Sequence, residues 1–519
     1  MAKSFPMRTR FRQPLLLAFL LTLPVRGEPA RPSGRAELAA RLAQSVAATA
    51  APGAQWGVKA VSLKTGKTLF ETNATRLFVP ASNTKLFTGA LALDRLGADR
   101  TLATTLWVPA TRTGETVAGD LLVRGGGDPT LSDRLKDRWE MVFAPFVAAV
   151  SKAGIRRIHG DLVCDESQFR GAPYGSGWNW DDLGYYYGAA VSALSVNDNV
   201  LHLRVTPGKA VGAPATLQLG PLTNLLELIG TVRTGPTNSA VNLQTGRLPG
   251  ESRLRVGGSV PLGSPAHTAD VPVPSPARYF GELFREALRQ SGIIVTGDVR
   301  VVDWRARAAQ PWVPAEWRQV GQVSSAKLAD VVTEMMKPSQ NFYAHCLWLL
   351  AGVQAERQPV GSEVGKPLPD TTEESGVRAL RTFLATAGVP AHDAVFEEGS
   401  GLSRKNLVTP NALVQLLVHM HRHPAAAAYR ESLPVGGVDG TLKRRFTAAE
   451  TKGRIRAKTG TLRHVTALSG YVDTRAGEPV AFSILVNAFV PVREGATATQ
   501  EADRLVELIA GFTGRLEAE

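Results

Sequence analysis

Hydrophobic positions repeat with the period of an α-helix along several stretches of the chain and alternate with polar positions in others. The helical pattern predicts amphipathic helices at 37–47, 85–93, 276–291, 327–336, 341–351, 373–387, 410–421 and 501–512. The alternating pattern predicts strands at 465–472 and 480–486, and a hairpin within 58–70 around a turn at 64–67. Strands near both ends of the sequence, with helices between them, are typical of an α+β domain.

Residues 100–272 have a different texture from the rest of the chain. Short β-like runs are separated there by Gly, Pro and Asn, as at 119–124 and 200–205. We therefore predict an α+β domain built from residues 35–99 and 273–519, with residues 100–272 forming a β-rich insert of two subdomains.

The first residues of the chain resemble an export signal. Four basic residues precede the apolar run 15–23, and Val25-Arg26-Gly27 follows with small residues at the spacing of a signal-peptidase site. The run is too short to span a bilayer. We expect residues 1–27 to be a cleaved signal peptide and the mature protein to be periplasmic, with at most peripheral membrane contact. An uncleaved N-terminal anchor is the alternative.

Composition narrows the class of protein. The 519 residues contain 59 Lys and Arg against 46 Asp and Glu, a formal net charge of +13. This balance suits anionic wall polymer or lipid headgroups, but the basic residues are scattered, so we do not expect nucleic acid binding. Cys164 and Cys346 are the two cysteines, too few for a disulfide scaffold, and we expect two buried thiols. His419, His421 and His423 lack a nearby acidic ligand, so we expect no metal and no cofactor.

The first candidate for chemistry is Ser82-Asn83-Thr84-Lys85, which lies at the start of a predicted helix. Residues three apart on a helix are neighbours, so Ser82 and Lys85 share one face. A serine hydroxyl attacks a carbonyl only when a base takes its proton. Lys85 can be that base if burial and a nearby cation lower its pKa, and Lys458 is the candidate cation.

Two further motifs supply what a lysine-activated serine needs. Ser339-Gln340-Asn341 follows Pro338 at a break between two predicted helices, so Ser339 can relay a proton and Asn341 can bind a substrate amide. Lys458-Thr459-Gly460-Thr461 precedes a predicted strand. We expect the N–H groups of Ser82 and Thr461 to form an oxyanion hole, and Lys458 and the Thr461 hydroxyl to bind a carboxylate.

Each motif also occurs elsewhere in the chain. The second copies are Ser324-Ser325-Ala326-Lys327, Ser195-Val196-Asn197 and Lys64-Thr65-Gly66. Context separates the two sets, because Ser324 lacks a Pro-Ala lead-in, Ser195 leads into a strand and Lys64 lies in a hairpin turn. The order of the selected motifs, together with their predicted elements, strengthens the catalytic interpretation.

These motifs are those of penicillin-recognising serine enzymes, and their surroundings resemble the low-molecular-mass class C penicillin-binding proteins, the D-alanyl-D-alanine carboxypeptidase/endopeptidase family. The resemblance extends from about residue 35 to the end and includes a large insert after the first motif. The matching runs are 78–82, 126–131, 399–404 and 438–442. Two departures are Glu397-Glu398, where the family usually has an acidic-Gly pair led by Asp, and Gln340, where it usually has Asp or Asn.

The resemblance implies a penicillin-binding, transpeptidase-like fold whose insert lies over the active site. It implies cleavage of peptidoglycan peptide stems and cross-links, with β-lactams as inhibitors, and substrate binding by Thr459, Gly460, Thr461 and Arg404. In the insert, Trp178, Trp180 and Tyr185 to Tyr187 flank Asp181 and Asp182. These aromatic residues are either ordinary core or the wall of a groove in which Asp182 pairs with a substrate amino group.

Two other functions remain open on the sequence alone. A β-lactamase or D-amino-acid esterase would use the same nucleophile, although no Glu-x-x-Leu-Asn occurs in the chain. A non-catalytic wall-binding regulator would keep the fold without turnover, but the intact Ser82, Lys85 and Lys458 argue against it.

Overall fold

The computed structural model describes residues 31–221 and 224–514, so the expected signal peptide at 1–27 lies outside the described residues. The helices in these ranges are α1 (Arg35–Ala47), α2 (Thr84–Leu96), α3 (Trp139–Lys152), α4 (Pro276–Gln290), α5 (Trp304–Ala309), α6 (Leu328–Met336), α7 (Asn341–Arg357), α8 (Thr372–Thr386), α9 (Pro410–Arg422), α10 (Ala426–Ser432) and α11 (Ala498–Ala510). The strands are β1 (Gln55–Ser62), β2 (Thr68–Thr72), β3 (Ala103–Pro109), β4 (Thr116–Val117), β5 (Leu121–Arg124), β6 (Arg157–Ile158), β7 (Leu162–Asp165), β8 (Val200–Thr206), β9 (Thr216–Gly220), β10 (Glu227–Gly230), β11 (Arg233–Gly235), β12 (Asn242–Gly246), β13 (Arg253–Pro261), β14 (His267–Pro272), β15 (Ile294–Val295), β16 (Val299–Val302), β17 (Trp317–Ser324), β18 (Ala394–Val395), β19 (Leu407–Val408), β20 (Ile455–Leu462), β21 (Val465–Asp473) and β22 (Pro479–Asn487).

An antiparallel sheet joins the strands from the two ends of the chain, in the order β2-β1-β22-β21-β20. Its side chains alternate between two cores, because successive residues of a strand face opposite sides. On β22, Phe482 and Ile484 pack with α1 and α11, whereas Ala481 and Leu485 pack with the helices on the other face. The sheet is therefore covered on both faces.

Helix α2 lies at the centre of the second core. Its residues from Thr84 to Leu93 are all buried, and it contacts α6, α7 and α8. A helix without a polar face is stable only when protein surrounds it on every side. The turn that precedes α2 also contacts β20 and β21, so Ser82 lies between the sheet edge and the helices.

A second sheet, in the order β16-β7-β5-β3-β17, belongs to the β-rich part of the chain. Helices α3 and α4 pack together through the ring cluster of Phe143, Phe146, Phe280 and Phe284. Strands β16 and β17 follow residue 272, yet they pair with β7 and β3 of the predicted insert. The boundary expected at residue 272 therefore does not coincide with a change in structure, because the apolar face of α4 packs in the core of the insert.

The sequence pattern missed helix α3, which lies in a stretch interpreted as short strands. Val142, Phe143, Phe146 and Val150 form its buried face. Pro145 lies inside this helix, and an internal proline normally argues against a helix because it lacks an N–H and clashes with the preceding turn. The helices that the sequence predicted are all present, with small shifts at their ends, as α1, α2, α4, α6 to α9 and α11.

The two cysteines lie in separate cores. Cys164 is on β7 and Cys346 is on α7, and both are free and buried. Among the helices of residues 31–221 and 224–514, none is long and apolar enough to cross a membrane.

Candidate active site

Ser82 lies in a turn of 3₁₀ helix, Ala81–Asn83, that runs directly into α2. The turn is fixed to the sheet below it, because Asn83 Nδ2 donates to Ser469 Oγ at 2.8 Å and Ser469 Oγ donates to Ser483 Oγ at 3.0 Å. Ala81 has a φ of +48°, a conformation that non-glycine residues rarely adopt. The surrounding contacts hold the turn in this conformation, with Ser82 at the start of the helix.

Lys85 is fully buried and lies within hydrogen-bond distance of three oxygens. Its Nζ is 3.0 Å from Ser82 Oγ, 2.6 Å from Asn341 Oδ1 and 2.6 Å from the carbonyl oxygen of Ser400. The amide and carbonyl oxygens can only accept, whereas the serine hydroxyl can also donate. An ammonium can donate to all three oxygens. A neutral amine that keeps its two N–H groups on Asn341 and Ser400 has its lone pair free to accept the Ser82 proton.

The charge state of Lys85 agrees with this geometry. Burial lowers its pKa from 10.5 to about 7, and the opposite charge of Glu398 works against that shift. The sequence predicted that burial and a nearby cation, Lys458, would lower this pKa, and burial is the cause that lowers it in the structure. A substantial fraction of Lys85 is therefore unprotonated at neutral pH.

The second motif lies between α6 and α7, at the helix break that the sequence predicts. Ser339 has a φ of +68° in this connection, and Asn341 is the first residue of α7. Besides accepting from Lys85, Asn341 donates through Nδ2 to the carbonyl oxygen of Tyr187 at 2.9 Å. The side chain of Asn341 thus links the lysine to the segment that contains Asp182.

The third motif lies on edge strand β20 itself and not before the strand, as the sequence suggested. Ile455-Arg456-Ala457-Lys458 alternates apolar and polar residues, a strand signal that the sequence interpretation did not use. Lys458 is fully buried, and its Nζ donates to Ser339 Oγ at 2.7 Å and to the Thr459 carbonyl oxygen at 3.0 Å. Burial, with Lys85 as a second cause, lowers the pKa of Lys458 well below its usual value.

Gly460 allows strand β20 to approach the nucleophile closely. A Cβ atom at this position would lie 2.8 Å from the Pro80 carbonyl oxygen and 3.0 Å from the Ser82 nitrogen. Any side chain would therefore push the strand away from the turn that holds Ser82.

The motifs open into one cavity of about 810 Å³. Its walls include Ser82, Ser339, Asn341, Thr459 and Thr461 from the three motifs, and Asp182, Tyr186, Tyr187 and Arg404 from other segments. Asp182 is held by Asn179 Nδ2 at 3.1 Å and by the Tyr187 hydroxyl at 3.3 Å. Arg404 donates to the Arg463 carbonyl oxygen at 2.8 Å. Apart from Lys85, Lys458 and Gly460, which lie behind this surface, every candidate residue lines the cavity.

The second copies of the motifs lie elsewhere. Ser324 ends strand β17 and pairs with Ala103. Ser195 is buried and donates to the Ser192 carbonyl oxygen at 2.9 Å. Lys64 lies in the hairpin turn and donates to the Gly477 carbonyl oxygen at 3.2 Å.

Sequence reasoning missed contributions that come mainly from backbone oxygens. The carbonyl groups of Ser400 and Tyr187 accept from Lys85 and Asn341, and Thr441 Oγ1 accepts from the Thr459 hydroxyl at 2.9 Å. Ser400 and Thr441 lie in the runs 399–404 and 438–442, which the sequence singled out without assigning a role to these residues. Those runs were the available signal.

The fold and the site together define a class of protein. An antiparallel sheet covered by helices carries a serine and a lysine one helical turn apart, facing a Ser-x-Asn motif and a second lysine on the edge strand. This combination is that of the penicillin-recognising serine enzymes.

Comparison with known proteins gives the family. The profile of the D-Ala-D-Ala carboxypeptidase 3 (S13) family matches residues 38–510, and the chain belongs to this family. A D-alanyl-D-alanine carboxypeptidase from Actinomadura sp. (strain R39) is 33% identical over 481 residues, covering 90% of this chain and 83% of the relative. The D-alanyl-D-alanine carboxypeptidase DacB of Haemophilus influenzae is 26% identical over 346 residues, covering 66% of this chain and 68% of the relative.

The crystal structure of penicillin binding protein 4 (dacB) from Haemophilus influenzae has a TM-score of 0.75 and 24% sequence identity, covering 91% of this chain and 99% of that chain. This likeness confirms the predicted fold class. The protein is a serine-type D-Ala-D-Ala peptidase, as the sequence predicted.

We expect Gly401→Ala to slow acylation by penicillin on the order of a hundredfold, the usual effect of misplacing a reacting group by about 1 Å. Gly401 has a φ of +85°, and a Cβ atom there would lie 1.9 Å from the Ala81 carbonyl oxygen, next to Ser82. The rate constant for labelling by a fluorescent penicillin measures the effect, with circular dichroism to verify folding.

Gly477→Ala is the matched control. Gly477 has a φ of +73°, but a Cβ atom there would meet nothing within 4 Å. Both substitutions carry a similar conformational cost, about 1–3 kcal/mol, and only Gly401→Ala disturbs the nucleophile. Equal labelling rates for the two folded variants would contradict the role assigned to this contact.

Proposed function

We propose that the protein hydrolyses D-alanyl-D-alanine bonds in peptidoglycan peptide stems and cross-links through an acyl-enzyme on Ser82, with Lys85 as the base. The observation that carries the proposal is the 3.0 Å contact between the buried Lys85 Nζ and Ser82 Oγ, across which a neutral amine can take the serine proton. A serine next to such a base can attack a carbonyl at neutral pH.

In the acylation step, Ser82 Oγ bonds to the carbonyl carbon of the penultimate D-alanine while its proton moves to Lys85 Nζ, 3.0 Å away. The N–H groups of Ser82 and Thr461 stabilise the developing oxyanion, and the loss of one such donor typically slows the reaction on the order of a hundredfold. The C–N bond then breaks, and the terminal D-alanine leaves with a proton. Hydrolysis is completed when water takes the place of the amine and the steps run in reverse. Water attacks the ester carbon and gives its proton to Ser339, and Lys85 returns its proton to Ser82 Oγ as the ester bond breaks.

Ser339 and Lys458 supply that proton to the leaving amine. The Ser339 hydroxyl faces the cavity and accepts from Lys458 Nζ at 2.7 Å, so a proton given to the amine can be replaced from the lysine. A substrate carboxylate bound by Thr459, Thr461 and Arg404 lies near Lys458. Because an opposite charge favours the charged form of a lysine, substrate binding raises the pKa of Lys458 and prepares it as a donor.

The segment around Asp182 recognises the peptide side chain. Its carboxylate is oriented by Asn179 and Tyr187 on the wall of the cavity that the edge-strand motif also lines. We assign it to the amino group of the third residue of the stem, a diaminopimelate. Binding energy remote from the scissile bond can then be used to position the peptide.

Peptidoglycan lies outside the cytoplasmic membrane, so this function requires export. The basic residues and the apolar run within residues 1–27 support a cleaved signal peptide and a periplasmic location.

We expect a fluorescent penicillin to acylate Ser82, and Lys85→Ala to abolish this labelling without unfolding the protein. Removal of Lys85 leaves Ser82 without a base. Mass spectrometry of the labelled peptides locates the adduct. Lys64→Ala, in the exposed hairpin turn, is the control and should label at the wild-type rate. An adduct on Ser324, or rapid labelling of folded Lys85→Ala, would refute the assignment.

We expect Asp182→Asn to reduce kcat/KM for diaminopimelate-bearing peptides about tenfold or more, because an amine loses its charged partner at a cost of about 1.5–3 kcal/mol. Penicillin acylation should change far less, since a β-lactam lacks that amine. Kinetics on both substrates compare the loss in kcat/KM for the peptide with the loss in penicillin acylation. Asp181→Asn, which removes a negative charge from the adjacent residue, is the control. Equal losses on peptide and penicillin would contradict a role in side-chain recognition.

A further inference from the structure

Glu398 is a fully buried carboxylate on the loop that contacts Lys85. It accepts hydrogen bonds from Ser400 N at 2.7 Å, from Ser400 Oγ at 2.6 Å and from Gly401 N at 2.7 Å. Asn406 Nδ2 at 2.9 Å and Trp178 Nε1 at 3.1 Å add two more donors. An ionised carboxylate only accepts, whereas a protonated one must also donate. A set made up of donors therefore favours the ionised form.

These bonds fix the acceptor of Lys85 and the turn that holds Ser82. The Ser400 carbonyl oxygen, held by the bonds to the Ser400 amide and hydroxyl, is the acceptor 2.6 Å from Lys85 Nζ. Gly401, held through its N–H, packs directly against the Ala81 carbonyl group, one residue before Ser82. Movement of the Glu398 carboxylate would therefore displace the Ser400 carbonyl oxygen that accepts from Lys85. It would also loosen the turn that holds Ser82.

Two of the titratable groups around Glu398 carry little charge at neutral pH, and a third, Glu397, bonds to the insert. His345 Nδ1 lies 3.9 Å from Glu398, and burial lowers the pKa of His345 to about 4, so its ring is neutral. Burial raises the pKa of Glu373 to about 8, so it is mostly protonated. Glu397 accepts from Ser176 Oγ at 3.0 Å on the insert side.

The insert reaches this carboxylate through the side chain of Trp178. Trp178 donates to Glu398 from the same segment that carries Asp182, and its ring lies 5.5 Å from the ring of His345. The N–H dipole of the indole places its positive end at the carboxylate. It therefore offsets part of the negative potential that Glu398 produces.

We propose that Glu398 is a positioning residue that acts through Lys85: it fixes the Ser400 carbonyl on which the lysine bonds, and it supplies the negative charge that faces the buried amine. Trp178 moderates that charge from the insert. This inference rests on the proposed role of Lys85 as the base.

The sign of the effect follows from the charge. A carboxylate favours protonated Lys85, so Glu398→Gln makes the lysine lose its proton at lower pH. We expect the acid limb of the acylation profile to move about one pH unit toward lower pH. We also expect a lower maximal rate, because the glutamine NH₂ replaces one of the two carboxylate oxygens and cannot accept from the N–H group bonded there, that of Ser400 or that of Gly401. Glu398→Asp keeps the charge and should keep the limb near the wild-type pH.

The experiment measures the second-order rate constant for labelling by a fluorescent penicillin from about pH 5 to about pH 9, across the range in which Lys85 titrates. Glu397→Gln is the matched control, since it removes a neighbouring carboxylate that bonds to Ser176, and its profile should follow the wild type. A purely structural role for Glu398 would lower the rate of Glu398→Gln without moving the limb, and that result would overturn the proposal.

Trp178→Phe provides a second test, in which the acid limb should shift in the opposite direction. This variant also tests the proposal if Glu398→Gln fails to fold. The phenylalanine ring keeps the packing but removes the N–H dipole, so the acid limb should move to higher pH. A folded Trp178→Phe protein with an unchanged limb would contradict the proposal. Absence of any acid limb in the wild-type protein would instead contradict the role of Lys85, so the two failures are distinguishable.

Discussion

Burial of the Lys85 amine is the constraint on which the rest of the site depends. An amine removed from water needs partners for its hydrogens, or it destabilises the fold. Its partners come from three elements: the turn before α2, the start of α7 and the loop at Ser400. Asn341 and Ser400 lie 256 and 315 positions away in the sequence. Long-range packing of the helical core is therefore needed to bring the oxygens of Asn341 and Ser400 to Lys85 Nζ.

The backbone beside the catalytic motifs is unusual as well. Ala81 and Ser339 both have positive φ values, and each lies beside a catalytic motif. Residues are held in such conformations only when surrounding contacts stabilise them. The Asn83–Ser469 bond and the Lys458–Ser339 bond provide this support. Because Ser469 and Lys458 are on strands of the sheet, the sheet stabilises the strained backbone of the site.

Much of the site could be predicted from the sequence because its side chains cluster in short motifs. Ser82 and Lys85 are one helical turn apart, and Ser339 and Asn341 flank a helix break that Pro338 indicates. Backbone acceptors leave no such mark, so the carbonyl groups of Ser400 and Tyr187 were beyond sequence reasoning. Helix α3 lies in a stretch interpreted as short strands, and the alternation of apolar and polar residues at the start of β20 was not used. Pairing of β16 and β17 with earlier strands is a long-range choice that local pattern does not encode.

The central claim is that Lys85 reaches neutrality near physiological pH because it is buried. The most direct test is the pH dependence of penicillin acylation in the wild-type protein, since the free enzyme's essential base sets its acid limb. We expect the rate constant to rise with an apparent pKa of about 7, the value to which burial lowers that of Lys85. A profile that is flat through this region, or one that rises only near the value of an exposed lysine, about 10.4, in a protein that stays folded, would contradict it.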